Sequence, residues 1–279
     1  MRVVALVENN TKSAYLDAEH GLSLYIETEN HKIIFDTGAT NLFILNAVKL
    51  NINLQEVDYV VISHGHYDHI GGLIHFLQLN QKAKIILKKE IFEYQYISIR
   101  QETKKNIGCL PELLNYKERF IYPENAIETI DNLHVITKIN SVFALPKGNN
   151  ILFKTSNNVL KPDDFSHELI LTIEEKNEMY VFCGCAHNGV LNTISAVQQH
   201  LPNKLIKTII GGFHLIDSNE FVETESAQEI KYIATILKQL SFSTNYYTGH
   251  CTSNSAFNVM REILEDKLKH IEIGETLDV

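Results

Sequence analysis

His64-Gly65-His66-Tyr67-Asp68-His69 follows directly on the run Val57-Asp58-Tyr59-Val60-Val61-Ile62 and precedes Gly71-Gly72-Leu73. The first run reads as a strand, and the apolar spacing from Ile70 to Leu79 reads as a helix, so the motif sits on a strand-to-helix loop. With 13 His and 10 Asp in 279 residues, the pattern His-x-His-x-Asp-His arises by chance on the order of once in a thousand such chains. It therefore marks chemistry, and four metal-capable side chains in six positions mark a dinuclear metal site. One cation cannot take all four without strain. His64 and His66 are expected to hold a first ion, and Asp68 and His69 a second.

Working outward, Val3 to Val7, Leu22 to Glu27 and Lys32 to Phe35 read as strands, the last two joined by a turn at Glu29-Asn30. Thr40 to Leu50 reads as a helix, and Ile85 to Leu87 as a buried strand. In the interval from Lys88 to Pro162, Arg119 to Tyr122, Leu133 to Ile139 and Val142 to Leu145 have strand character. Glu168 to Ile173 and Met179 to Phe182 form a hairpin around Lys176-Asn177. A helix runs from about Gly189 to His200 and stops before Pro202, and Ile206 to Ile210 is a strand. An amphipathic helix carries Ala227, Ile230, Ile233, Ala234, Leu237 and Leu240. Ser253-Asn254 caps a last helix through Leu268, and Ile271 to Ile273 is a closing strand. The chain is thus α/β, and its element order fits two sheets face to face with helices outside.

A formal charge of −9 argues against wide contact with a phosphate backbone, so no nucleic-acid partner is expected. Lys88-Lys89 and Lys104-Lys105 read as solvated faces or as anchors for one small anionic substrate. The apolar runs fall short of a bilayer span, and the opening Met1 to Glu8 turns acidic too early for a signal-peptide core. Four cysteines, two of them in Cys183-Gly184-Cys185, fit a reducing compartment better than a disulfide framework. A cytoplasmic protein without a membrane partner is the expectation; its oligomeric state is left open.

Each ion needs further ligands. His187 in Gly184-Cys185-Ala186-His187, His214 in Gly211-Gly212-Phe213-His214 and His250 in Thr248-Gly249-His250-Cys251 all fall at strand ends beside glycines, which let backbone approach a crowded centre. His187 and His250 are expected as metal ligands and His214 as a catalytic residue. His31, His75, His134, His200 and His270 lack glycine neighbours and are assigned no site role. Asp36 ends a strand beside the one carrying His64; it can take a ring N–H of a metal-bound histidine, or form an Asx-type turn with Thr37-Gly38. His20 and His214 are placed for substrate contact, and Phe92, Tyr94 and Tyr96 as part of a cover over the mouth.

The motif with Gly71-Gly72-Leu73 resembles the metal motif of the metallo-β-lactamase superfamily. Ala18-Glu19-His20-Gly21-Leu22-Ser23, Phe35-Asp36-Thr37-Gly38-Ala39, Gly184-Cys185-Ala186-His187, Gly211-Gly212-Phe213-His214-Leu215 and Gly249-His250-Cys251-Thr252 are similar to its dihydropteroate-synthase-like branch, which includes a ribofuranosylaminobenzene phosphate synthase. The likeness spans nearly the whole chain. It implies a single domain over 1–279 with the αββα four-layer sandwich, a less regular substrate-covering segment around 88–165, and a dinuclear site. The superfamily's common pattern also has a histidine on a Thr-Pro-Gly-His-type loop and a bridging aspartate on a Gly-Asp turn, and here the nearest matches are Asp163-Asp164-Phe165-Ser166-His167-Glu168 and Cys183-Gly184-Cys185. His187 is the favoured remaining ligand, with Asp164, His167, Glu168 and Cys185 as second choices. Cys185 can replace the bridging carboxylate.

The function expected is a metal-dependent hydrolase, or a related group transferase, acting on a small anionic metabolite with metal-activated hydroxide. The metal ligands are His64, His66, Asp68, His69, His187 and His250, and the catalytic residues Asp68, which orients the water and shuttles its proton, and His214. The cofactors are two divalent ions, zinc first, with manganese, iron or nickel as alternatives. A di-iron redox protein ranks below, because such members carry a flavin domain for which 279 residues leave no space. A non-catalytic metal- or ligand-binding member is a further reading, and nuclease members of the superfamily commonly have an inserted second domain and basic surfaces, neither of which this sequence shows clearly.

Overall fold

The computed structural model describes residues 1–157, 159–218, 222–240 and 243–277. A first sheet runs in the order β18 (Thr276–Leu277), β1 (Arg2–Val7), β2 (Ser23–Glu27), β3 (Lys32–Phe35), β4 (Tyr59–Val61), β5 (Lys84–Ile86) and β8 (Phe120–Ile121). The second runs β17 (Leu268–His270), β16 (Asn245–Thr248), β15 (Leu205–Ile210), β14 (Glu178–Phe182), β13 (Ile170–Glu175), β10 (Leu133–Ile136) and β9 (Ile127–Ile130). Each sheet is antiparallel on one side and parallel on the other, the parallel stretch of the first being β3-β4-β5-β8 and that of the second β14-β15-β16-β17.

Alternation along the strands explains the stacking. Val3, Ala5, Ile33, Phe35, Val61 and Ile86 share a core with Leu133, Val135, Leu171, Ile173, Phe182 and Ile210 of the facing sheet. Their neighbours Val4, Leu6, Ile34, Val60 and Ile85 point the other way, onto α1 (Leu42–Lys49) and α3 (Leu73–Leu79) through Phe43, Ala47, Leu73, Phe76 and Leu77. Val181, Ile206, Ile209 and Tyr246 likewise meet α4 (Val190–His200), α5 (Ala227–Leu240) and α6 (Asn254–Leu264). Strands apolar on both faces are stable only when both faces are covered, and the result is the αββα four-layer sandwich.

A third, antiparallel sheet, β12 (Val159–Pro162), β11 (Leu152–Ser156), β6 (Gln95–Arg100) and β7 (Thr103–Asn106), is built from the two ends of the segment around 88–165. Val142 to Leu145 is loop rather than strand. The Asn192 side chain takes the N–H groups of Val142 and Phe143 and donates to the Phe143 carbonyl, replacing ladder partners. The last helix also ends earlier than expected. Glu265, at φ +56°, breaks it, so that Leu268 opens β17 beside Tyr246 and Ile273 makes only an isolated bridge to Ala5. The turn of the β13–β14 hairpin falls at Lys176-Asn177 as expected, both at positive φ, the backbone of a type I′ turn.

The motif lies between β4 and a short helix, α2 (Tyr67–Ile70), that begins inside it. A Cβ on Gly71 would lie 2.3 Å from the Ala39 carbonyl oxygen, and one on Gly72 2.3 Å from that of Thr37. Glycine at both positions lets the segment lie against the loop after β3, where the Thr37 N–H donates to the His69 carbonyl at 2.7 Å. That contact brings Asp36 to the ring of His69.

Candidate metal centre

The chain leaves β1, β3, β4, β14, β15 and β16 at one edge of the facing sheets, and the segments that follow converge there. His64, His66 and His187 form a first group. Their rings stand nearly perpendicular, with centroids 4.7, 4.8 and 4.9 Å apart and interplanar angles of 81°, 82° and 76°. Nε2 of His64 and of His187 is buried without a hydrogen-bond partner among the described residues, and Nε2 of His66 has Asp163 Oδ2 at 3.7 Å. A buried polar atom left unpaired costs about 1–3 kcal/mol, so these buried nitrogens imply something that accepts their lone pairs. Burial, reinforced by the neighbouring rings, pushes His64 and His187 well below the ordinary histidine range, and both are neutral.

Asp68, His69 and His250 form a second group. His250 Nε2 lies 3.1 Å from Asp68 Oδ2 and 3.1 Å from His69 Nε2, which is itself 3.1 Å from Cys185 Sγ. Two nitrogens each about 2.0–2.1 Å from a tetrahedral ion stand about 3.4 Å apart, so the donors are already near the edge lengths of a coordination polyhedron. Burial opposes charge on His69, but the Asp36 carboxylate on its Nδ1 outweighs burial and pushes the ring up to about 9. His250 is also raised against its burial, by the Cys251 and Asp68 charges. Burial opposes ionisation of Asp68 too, yet the rings of His20 and His250 hold its carboxyl well below the usual range. The field that draws protons to these rings is one that attracts a cation.

Cys185 stands between the groups. Its Sγ lies within 4.8 Å of donor atoms of His64 and His187 on one side and of His69 and His250 on the other. Cys251, which motif reading passed over because it follows a more conspicuous histidine, brings its Sγ to 2.7 Å from that of Cys185. Burial pushes the Cys185 thiol up, while its hydrogen bond draws Cys251 down. His214 joins the two thiols in a further cluster of ligand atoms within 4.8 Å, its ring centroid 4.2 Å from that of His187.

The other second-choice residues are taken up by other partners, although His167 stands with His66 and Asp163 in a further cluster of ligand atoms within 4.8 Å. His167 Nδ1 accepts from the Gly65 N–H at 2.9 Å, so its Nε2 carries the proton and donates to Asp163 Oδ2 at 3.1 Å. Neither ring nitrogen remains for an ion. Glu168 takes the N–H groups of His187 and Asn188 and the Asn188 side chain, and Asp164 pairs with Lys154 and turns away. Asp36 is fully buried and accepts from the Ser63 N–H and hydroxyl, each at 2.7 Å, and from His69 Nδ1 at 2.6 Å. Having given its proton to Asp36, the Ser63 hydroxyl can only accept from His64 Nδ1, at 2.9 Å. One carboxylate thus orients a histidine of each group, directly or through the serine.

Above the centre opens a cleft of about 420 Å³ lined by His20, His66, Asp68, Cys185, His187 and His214, with Ser98, Arg100, Thr103 and Lys105 on the wall from the third sheet. His20 Nε2 is 3.2 Å from Asp68 Oδ2. Phe92, Tyr94 and Tyr96 do not cover this mouth. Phe92 stacks on Phe120, Tyr94 lies under Lys154 and Lys161, and Tyr96 is fully buried against the ring of His167.

The model of the metallo-β-lactamase superfamily matches residues 16–131. With the layered architecture and the strand-end histidines, this defines the class: the chain has the metallo-β-lactamase fold, and residues 16–131 carry the match to that superfamily. Over 277 residues it is 26% identical to a 7,8-dihydropterin-6-methyl-4-(β-D-ribofuranosyl)-aminobenzene-5′-phosphate synthase of Methanocaldococcus jannaschii, covering 93% of this chain and 90% of the relative. A metal-dependent hydrolase of Staphylococcus aureus is 35% identical over 94 residues, 32% of this chain and 38% of the relative. Among solved structures, a metal-dependent hydrolase of the β-lactamase superfamily aligns with a TM-score of 0.82 at 26% identity, covering 100% of this chain and 99% of the other. No helix among the described residues is long and apolar enough to cross a membrane.

Proposed function

We propose that the chain is one domain that binds two divalent ions, zinc first among them, and acts as a hydrolase or group transferase on a small anionic metabolite. The observation that carries this reading is the set of inward-facing imidazole nitrogens without partners, beside a second donor set at coordination spacing. His64, His66 and His187 would hold the first ion and Asp68, His69 and His250 the second, with Cys185, whose Sγ lies near donors of both sets, as a further ligand. Two such ions would lower the pKa of water toward neutrality and polarise a carbonyl or phosphoryl oxygen.

The protein supplies the rest. Asp68, on the floor of the cleft, orients the attacking water and takes its proton through the carboxylate oxygen that the ion leaves free, and His20 beside it passes that proton toward solvent. His214 faces the substrate from the opposite wall. Arg100 and Lys105 give the segment around 88–165 its role as the substrate-covering wall, matching an anionic group. The likeness to a Methanocaldococcus jannaschii phosphate synthase favours phosphorylated metabolites and keeps group transfer beside hydrolysis. Four free cysteines fit a reducing cytoplasm.

The test is a panel of small phosphate esters and anhydrides. Chelator-stripped protein should lose turnover and regain it with zinc, whereas turnover that survives stripping contradicts the reading. In the same assay Arg100→Ala should raise KM about tenfold with little change in kcat, the signature of lost uniform binding. An unchanged KM removes Arg100 from the substrate site.

A further inference from the structure

His187 and His250 come from different strands and belong to different groups of the centre, yet their surroundings are alike. His187 donates its backbone N–H to Glu168 Oε1 at 2.8 Å, and His250 donates its own to Glu8 Oε1. Both glutamates are buried, at 3% and 4% exposure. The carbonyl of His187 accepts from Asn149 Nδ2 at 2.8 Å, and that of His250 from Asn9 Nδ2 at 2.7 Å. The ring Nδ1 of His187 then meets Asn149 Oδ1 at 3.0 Å, and that of His250 meets Asn9 Oδ1 at 2.8 Å. Gly249 has no Cβ where one would lie 2.6 Å from Glu8 Oε1.

This geometry assigns tautomers. A main-chain carbonyl can only accept, so the nitrogen of each asparagine amide must face it and the oxygen must face the imidazole. The Gly21 N–H, which can only donate, reaches Asn9 Oδ1 at 3.3 Å and fixes that amide a second time. Facing an amide oxygen, Nδ1 of each histidine must carry a proton. In the neutral ring the lone pair is then on Nε2, the nitrogen directed at the centre.

We propose that Asn9 and Asn149 are paired positioning residues, one for each ion, whose amides hold His250 and His187 in the tautomer and rotation that present Nε2 to the metal. This rests on the dinuclear reading above. Neither asparagine touches an ion, and each acts on one site. Outer partners of this kind are worth about 10–100-fold in metal affinity. Removal of Asn9 should therefore weaken the second ion alone, and removal of Asn149 the first.

The test is zinc titration of the full chain against a competing chromophoric chelator, with anomalous scattering from crystals at limiting zinc to assign each affinity to its position. Asn9→Ala should lose about 10–100-fold at the Asp68, His69 and His250 position, with the other within threefold, and Asn149→Ala should show the reverse. Two unaffected affinities, or an equal loss at both positions in both variants, overturns the proposal. A second measurement needs no variant. In zinc-loaded wild-type protein, nitrogen-15 spectra should show the ring proton of both histidines on Nδ1, and a proton on Nε2 of either one overturns the assignment. Wild-type protein that binds fewer than two ions refutes the dinuclear reading instead.

Discussion

Asp68→Ala is expected to lower turnover by about 10²–10⁴-fold, the range set by losing a positioned acid–base group, on every substrate the wild-type protein accepts. Among the described residues, Asp68 is the one carboxylate that lies both in the second donor set and in the lining of the cleft. Its Oδ2 sits 3.1 Å from His250 Nε2 and 3.2 Å from His20 Nε2, with the side chain 10% exposed. Those two rings keep it ionised against its burial, so its oxygens can accept a hydrogen bond from the attacking water. Asp68→Asn separates its roles, because the amide retains a weak oxygen donor while losing the base. Steady-state kinetics with zinc counted per chain should find Asp68→Asn loaded and slow. Turnover of either variant within tenfold of wild type removes Asp68 from the mechanism.

Asp36→Ala has the largest expected effect on the scaffold. The substitution strands the Ser63 N–H, the Ser63 hydroxyl and His69 Nδ1, all fully buried, and removes the partner that holds charge on His69. Breaking a buried charged pair by deleting one side costs about 3–5 kcal/mol. Asp36 also adopts φ +57°, a backbone conformation that alanine tolerates less well than aspartate. Denaturant unfolding of the metal-free protein should therefore shift by about 3–5 kcal/mol. Zinc affinity should also fall at both positions, since Asp36 reaches His69 directly and His64 through Ser63. A loss confined to one ion contradicts the shared-carboxylate account.

The sandwich was legible because its strands are apolar on both faces and its helices follow a clear period, so element type and layer order are written into local pattern. The third sheet was not. The residues of β7 and β12, Thr103–Asn106 and Val159–Pro162, are exposed throughout, and a strand without a buried face shows no alternation to read. The site divides in the same way. His64, His66, Asp68 and His69 announce themselves by spacing, and His187, His214 and His250 by glycines at strand ends. The order of strand ends that brings them together belongs to the fold. Asn9 and Asn149 carry no local signal, since asparagine near polar residues or glycine reads as a turn, and their role comes from contacts across 241 and 38 residues. His167 shows the opposite error. Its histidine-carboxylate surroundings suggest a ligand, but a backbone N–H from Gly65 has claimed the lone pair that an ion would need.

Anomalous diffraction at the zinc edge, with the metal counted in the same protein, tests the central claim most directly. Two peaks per chain are expected. One should lie about 2.0–2.1 Å from Nε2 of His64, His66 and His187, and the other at that distance from Nε2 of His69 and His250 and from Asp68, with Cys185 Sγ about 2.3 Å from both. A single peak, or peaks away from these donors, would contradict the account.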